Sequence, residues 1–345
     1  MTENLSVAQI KSQRWGTAQQ SATGGTRELI IIGLIVLALL LYPLYPLITG
    51  ANINYPLHLL LFTFMYIAMA SSWNILGGFT GYISLGHNVF FAVGGYLSGV
   101  LLAYYGLSPF ITWPLAGLVS LLIGFAFGAI TLRIRRGPAF IISTIALLML
   151  VRILFDNWAL IGGSNGLSLP LIDLPVELVK VPFYYALLLL AVATVYSAYW
   201  IKHSKFGLGL RAISQDEIKA ESAGIPTSFY KILAFALSGF FVGIAGAFWG
   251  QYLTYLRPNI FLIVLIAANL VLMSILGGRG TVAGPVLGAI ILIAINELFV
   301  SQLGASELNI VRTGLIMIVV LLFFPLGIVG SLRKAGKLPR ILAWD

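Results

Sequence analysis

Apolar runs of about twenty residues, separated by short polar stretches, dominate this chain from end to end. A run of that length, wound as an α-helix, matches the hydrocarbon thickness of a bilayer. Such runs fall at about Leu29–Ile48, Leu57–Leu76, Asn88–Tyr105, Phe110–Leu132, Ala139–Phe155, Phe183–Ile201, Ile232–Tyr252, Ile260–Leu276, Val282–Val300 and Val311–Val329. They predict about ten transmembrane helices. Barrel strands do not fit, because the runs are too long and too uniformly apolar. The expected fold is therefore all-α, a polytopic helical membrane protein.

One polar island interrupts the pattern, from Lys202 to Lys231. Within it Ser214-Gln215-Asp216-Glu217 fits the S-x-x-E capping box, which predicts a helix start at Ser214. Gly224 suits the left-handed conformation of a helix end, and Pro226 cannot continue a helix, so this short helix closes near Ala223. A helix this short is unstable alone in water and must pack on something. Two readings stand: a docking element for a partner at the membrane face, or a helical loop lying on its own bundle.

Composition agrees with a membrane solvent. Of 345 residues, 59% are hydrophobic and 9% charged, with a mean hydropathy of +1.00; soluble domains carry about 25% charged residues. The pI near 9.7 and the net charge of +9 then read as a positive-inside signal and not as nucleic-acid affinity. With the N-terminus inside, sixteen of the twenty Lys and Arg fall on cytoplasmic segments; Arg152, Lys180, Arg257 and Arg312 lie toward the outer side. Both termini and the island are thus expected in the cytoplasm. The chain divides into a polar cytoplasmic tail (1–28), a transmembrane domain (29–330) that carries the 202–231 segment, and a basic cytoplasmic tail (331–345). With no cysteine, disulfides, thiolate metal sites and cysteine nucleophiles are excluded.

Glycines mark where helices crowd or break. Small-xxx-small pairs such as Gly95/Gly99, Gly239/Gly243 and Gly246/Gly250 allow close helix packing. Two other clusters fall between spans: Gly77 to His87, and Gly277 to Pro285. Each opens with the same tetrapeptide, Ile75-Leu76-Gly77-Gly78 and Ile275-Leu276-Gly277-Gly278, which hints at an internal repeat. Irregular backbone at membrane depth is tolerated only against protein or a water-filled cavity, so Gly81, Ser84, Gly86, His87, Gly277, Gly278 and Gly280 are the candidate path residues. On the outer side, Gly162 to Gly166 is a strong turn signal in the longest external loop, 157–182.

An enzyme's constellation is missing. His58, His87 and His203 have no metal-ligand spacing, and the run 277–284 lacks a P-loop lysine and a strand–helix context. Arg152 and Asp156, at i, i+4, can simply pair. Few carboxylates lie within the spans, which weakens an ion-coupled mechanism. Transport is then passive or powered by another subunit.

Five blocks in order carry a family resemblance: GFTGYISLGHNVFFAVGGYL (78–97), DNWALIGGSNGL (156–167), SKFGLGLRAISQDEIKAESAGI (204–225), YKILAFALSGFFVGIAGAFWGQYL (230–253) and ILGGRGTVAGPVLGA (275–289). The chain resembles the LivM-type permeases of branched-chain amino acid ABC importers. That resemblance implies a bacterial inner-membrane subunit with no cofactor of its own, ATP and Mg residing on two cytoplasmic ATPases. It also implies a LivH-type permease partner and a periplasmic amino-acid-binding protein. Arg211, Asp216, Glu217, Ala220, Glu221, Ala223 and Gly224 match the segment that engages the ATPase, and Gly81 to His87 matches a block near the translocation core. Related permeases carry urea or short amides, so the solute stays open at this point. The rival readings are a stand-alone secondary carrier or channel, and a membrane scaffold with no solute.

Overall fold

The computed structural model describes residues 30, 33–45, 53–133, 138–170, 179–303 and 327–335, with single positions between 311 and 322. The predicted polar N-terminal tail, the last ten residues and most of the tenth run lie outside the described residues. Seven helices among the described residues are long and apolar enough to cross a membrane, and Gly33–Leu44 and Ala283–Phe299 are shorter apolar helices. The chain is an all-α polytopic membrane protein.

We number the helices along the chain. They are α1 (Asn54–Gly77), α2 (Asn88–Tyr105), α3 (Pro109–Thr131), α4 (Pro138–Asp156), α5 (Lys180–His203), α6 (Lys205–Gln215), α7 (Glu217–Ser222), α8 (Thr227–Leu253), α9 (Pro258–Phe261), α10 (Val264–Gly277), α11 (Ala283–Leu303) and α12 (Gly327–Lys334). The hub is α8, which packs along α2 and α3 and also touches α1 and α5. Glycines make that approach possible: a Cβ at Gly246 would collide with the Phe91 carbonyl oxygen, and one at Gly94 with the Gly243 carbonyl oxygen. The most interior helix is α1. Its apolar window is 78% buried, against 33% for α3 and α4, so α1 is a core helix while α3 and α4 turn most of their surface outward.

At one end of the bundle the loop after α4 folds as its glycines predict. Two short 3₁₀ turns, Ala159–Ile161 and Gly163–Asn165, lead into β1 (Leu167–Ser168), which pairs antiparallel with β2 (Tyr255–Leu256). The Leu169 N–H donates to the Thr254 carbonyl at 2.8 Å and the Tyr255 hydroxyl to the Asn165 carbonyl at 2.5 Å. The Arg152–Asp156 pair forms on an exposed face at 3.8 Å.

Two expectations need correction. The eighth run is not one helix: after α9 the backbone is non-helical at Leu262 and Ile263 (φ −103°, ψ 48° and φ −100°, ψ 127°), and α10 starts only at Val264. The break is held from outside, because the buried Asn88 side-chain amide donates to the Ile263 carbonyl. The polar island also contains two helices where one was expected. Ser204 caps α6 by accepting from the Gly207 N–H at 3.1 Å, and Ser214 lies inside that helix. The capping box therefore does not form. Asp216 caps α7 instead, its Oδ1 accepting from the Ile218 and Lys219 N–H groups at 3.1 Å each.

Candidate functional site

The site starts where α1 ends. A 24-residue helix gives way at Gly78, and the next helix does not begin until Asn88. The intervening ten residues turn at one end of the bundle and run back alongside the last turns of α1. Trp73 Nε1 donates to the Ser84 carbonyl at 2.8 Å, and the Leu85 N–H donates to Thr144 Oγ1 of α4 at 3.2 Å. His87 is fully buried, with Nδ1 3.1 Å from Ser84 Oγ and Nε2 3.0 Å from Ser238 Oγ of α8. Ser238 lies seven residues beyond Lys231 on α8, about 10 Å by helical rise. The segment 79–87 is thus a re-entrant stretch of irregular backbone packed against α1, α4 and α8, with Gly81, Ile83 and Leu85 half-buried and the rest buried. Gly86 lets it approach α4, since a Cβ there would stand 2.8 Å from the Thr144 carbonyl oxygen.

The second glycine cluster lies against the first. Asn74, buried in the last turn of α1, donates from Nδ2 to the Thr281 carbonyl at 2.8 Å and accepts at Oδ1 from the Gly280 N–H at 3.0 Å. Thr281 Oγ1 donates to the Gly278 carbonyl at 2.7 Å and accepts from the Gly284 N–H at 3.0 Å. Gly278 and Gly280 have φ of +132° and +79°, backbone that a side chain would strain. The candidate path residues of the two clusters therefore converge on one end of α1.

The island joins the same end. Lys231 Nζ, on the first turns of α8, is 2.6 Å from Glu217 Oε1 and 3.1 Å from the Tyr82 hydroxyl, while that hydroxyl donates to Glu217 Oε2. The ammonium also stands 4.7 Å from the centre of the Tyr82 ring, which packs edge-on against Phe140. Side-chain exposure is 2% for Lys231 and 12% for Glu217, so this is a buried, fully engaged ion pair. Glu217 points into the bundle, toward the glycine block.

The other matched positions divide by exposure. Ala220 is buried, and its carbonyl accepts from the Ile225 N–H at 3.1 Å to close α7. Arg211 donates to the Lys202 carbonyl at 3.0 Å. Glu221, Ala223 and Gly224 are exposed, and Gly224 takes φ +85° with open space around it. Asp216 sits below the usual carboxylate range, held there by the Lys219 backbone N–H first and by the Lys219 side chain at 3.3 Å. Sequence reasoning missed the exposed apolar residues of this polar segment, Leu208, Ile218 and Phe229, at 58%, 62% and 56% exposure. It also missed Tyr82 and Lys231, whose partnership joins positions 149 residues apart.

A family model described as the permease component of branched-chain amino acid transport systems matches residues 55–321, which takes in α1 through α11 and every part of this site. The chain belongs to that permease family. Relatives include the LivM permease of the high-affinity branched-chain amino acid transport system of Salmonella typhimurium, 29% identical over 80% of this chain and 70% of its own. The LivM permease of Escherichia coli is 28% identical over the same shares. LivH of Salmonella typhimurium is 25% identical over 77% of this chain and 91% of its own. No solved structure matches the chain. Among the described residues of this permease, no group of three His, Cys, Asp or Glu side chains is placed to hold a metal.

Proposed function

We propose that this permease is the membrane-spanning subunit of an ATP-driven importer that moves branched-chain or other neutral amino acids across a bacterial inner membrane. ATP and Mg are bound and used on two separate cytoplasmic ATPases. A LivH-type permease completes the translocation unit, and a periplasmic binding protein delivers the solute. In this reading the glycine turns and α6–α7 lie at the cytoplasmic end, and the β1–β2 ladder at the outer end. About ten transmembrane helices with both termini inside then agree with the Lys and Arg distribution.

The observation that carries the reading is the surface of the polar island Lys202–Lys231, which runs from the end of α5 into the first turns of α8. A segment that leaves the bilayer should hide its large apolar residues, yet Leu208, Ile218 and Phe229 stand exposed on it. Polar Ser222 and charged Glu221 are exposed on the same segment, as is Pro226 after α7. Exposed apolar residues with polar ones on one segment are the composition of a protein-docking surface. A docked ATPase would move α6 and α7, and rocking of the permease pair would alternate access between the two faces.

The test is purification of the permease from its native membrane in mild detergent, with identification of the chains that accompany it. The reading expects two ATPases and a second permease, and expects Ile218→Asp with Phe229→Asp to lose the ATPases while keeping the second permease. Solute movement by the permease alone, without ATP, would replace it with a secondary carrier.

A further inference from the structure

We infer that Tyr82 is a positioning residue for transport, the strut by which a displacement of α7 is delivered to the re-entrant segment 79–87. The inference rests on the reading of α6–α7 as the ATPase-engaging surface.

Three separate elements meet at one point: α7 through Glu217, α8 through Lys231, and the re-entrant segment through Tyr82. A loop that only covered the end of the bundle would need none of this, because solvated charges at such a place are stable unpaired. Instead, an ammonium that is 2% exposed and a carboxylate that is 12% exposed have been taken out of water, which is tolerable only while both stay engaged. If α7 moves, Glu217 cannot leave its partners behind without leaving Lys231 buried and unpaired, so the group moves as a unit. The covalent route from α7 to residue 87 runs back through α6, α5, α4, α3 and α2. The side-chain route is one hydroxyl long.

What Tyr82 pulls on is suited to be moved. From Gly81 to Gly86 the backbone is neither helix nor strand, and the segment is bonded once each to α1, α4 and α8, at Ser84, Leu85 and His87. Gly81, with φ +82°, stands directly before Tyr82 and supplies a hinge. On the far side of the segment α2 begins, and Asn88 holds the Ile263 carbonyl at the break before α10. A shift of Tyr82 therefore reaches both discontinuities in the bundle, at 79–87 and at 262–263.

Tyr82→Phe is the discriminating variant, since it keeps the ring over Lys231 and against Phe140 and removes only the hydroxyl. The permease contains no cysteine, so Ile83→Cys gives a single thiol reporter on the segment within this chain. In the complete importer reconstituted in liposomes, the inference expects three results for Tyr82→Phe. ATP hydrolysis continues, uptake per ATP falls about tenfold, the scale of one hydrogen bond to a charged group, and maleimide labelling of the Ile83→Cys reporter no longer changes between the nucleotide-free and vanadate-trapped states. Unchanged uptake per ATP together with an unchanged labelling response would overturn it. If Tyr82→Phe does not assemble, the pair Glu217→Gln with Lys231→Met removes the charges in matched volume and takes the same measurements. Failure of both variants to assemble would assign the cluster to folding alone and also overturn the inference. Failure of the parent permease to bring down an ATPase would instead overturn the docking reading, which separates the two failures.

Discussion

The tetrapeptides Ile75-Leu76-Gly77-Gly78 and Ile275-Leu276-Gly277-Gly278 end α1 and α10 at the same end of the bundle, yet the chain leaves them differently. After Gly278 the backbone makes a tight turn, locks it with Thr281 and starts the next helix at Ala283. After Gly78 it runs through nine irregular residues before α2 begins, and it reaches out to α7 and α8 on the way. Identical local sequence thus gives a rigid turn in one case and a tethered re-entrant segment in the other. The residues that follow decide: Thr281 satisfies its own turn, whereas Tyr82, Ser84 and His87 find partners on other helices. Asn74 bonds the second turn from the first helix, so the fixed turn is tied to the end of α1 from which the tethered segment leaves.

Five substitutions or conditions break or sharpen that contrast. The largest effect is expected from Lys231→Ala, which leaves the Glu217 carboxylate buried without its cation and costs about 3–5 kcal/mol. Thermal melting of the purified permease measures it, and adding Glu217→Gln should recover much of the loss. Next comes Gly277→Ala. A Cβ there would run into the Gly284 carbonyl oxygen, and backbone cannot swing aside as a side chain can, so about 1–3 kcal/mol of destabilisation is expected. Gly224→Ala, on the open side of the island, should instead show only the strain of a positive φ. Asn74→Ala uncouples the two turns by removing both amide bonds to the second; about 2 kcal/mol is expected, and faster hydrogen exchange at Gly280 is the specific readout.

The smallest effect is a pH dependence at Asp216. Its carboxyl is held below the ordinary range when folded, so its contribution is fully present above the ordinary carboxylate pKa and is lost as pH falls through the lower, folded value. The parent should therefore melt above Asp216→Ala at neutral pH, and the gap should close in acid below about pH 4.

Much of this architecture can be read from residues alone, and the rest fails for definite reasons. Apolar runs gave the seven long spans among the described residues because burial in lipid is decided by composition over about twenty residues. The glycine turns were legible because glycine marks backbone that other residues resist, and Gly224 ended α7 as expected. The capping box misled because Ser214-Gln215-Asp216-Glu217 holds two competent caps, and the pattern cannot know that Glu217 is already engaged with Lys231. The break at Leu262-Ile263 left no local trace, since neither residue disfavours a helix strongly and the hold comes from Asn88, 175 positions away. The cluster of Tyr82, Glu217 and Lys231 was invisible for the same reason: Glu217 reads as a cap and a docking residue, and no local signal ties it to Tyr82 or Lys231.

The central claim is that this permease moves solute only when an ATPase drives it from the α6–α7 surface. The most direct test is uptake of a labelled branched-chain amino acid by liposomes containing the purified assembly, with binding protein outside and ATP inside. The account predicts accumulation that requires ATP, the binding protein and an intact Leu208, Ile218 and Phe229 surface together. Accumulation by liposomes holding this chain alone, with no nucleotide, would contradict it.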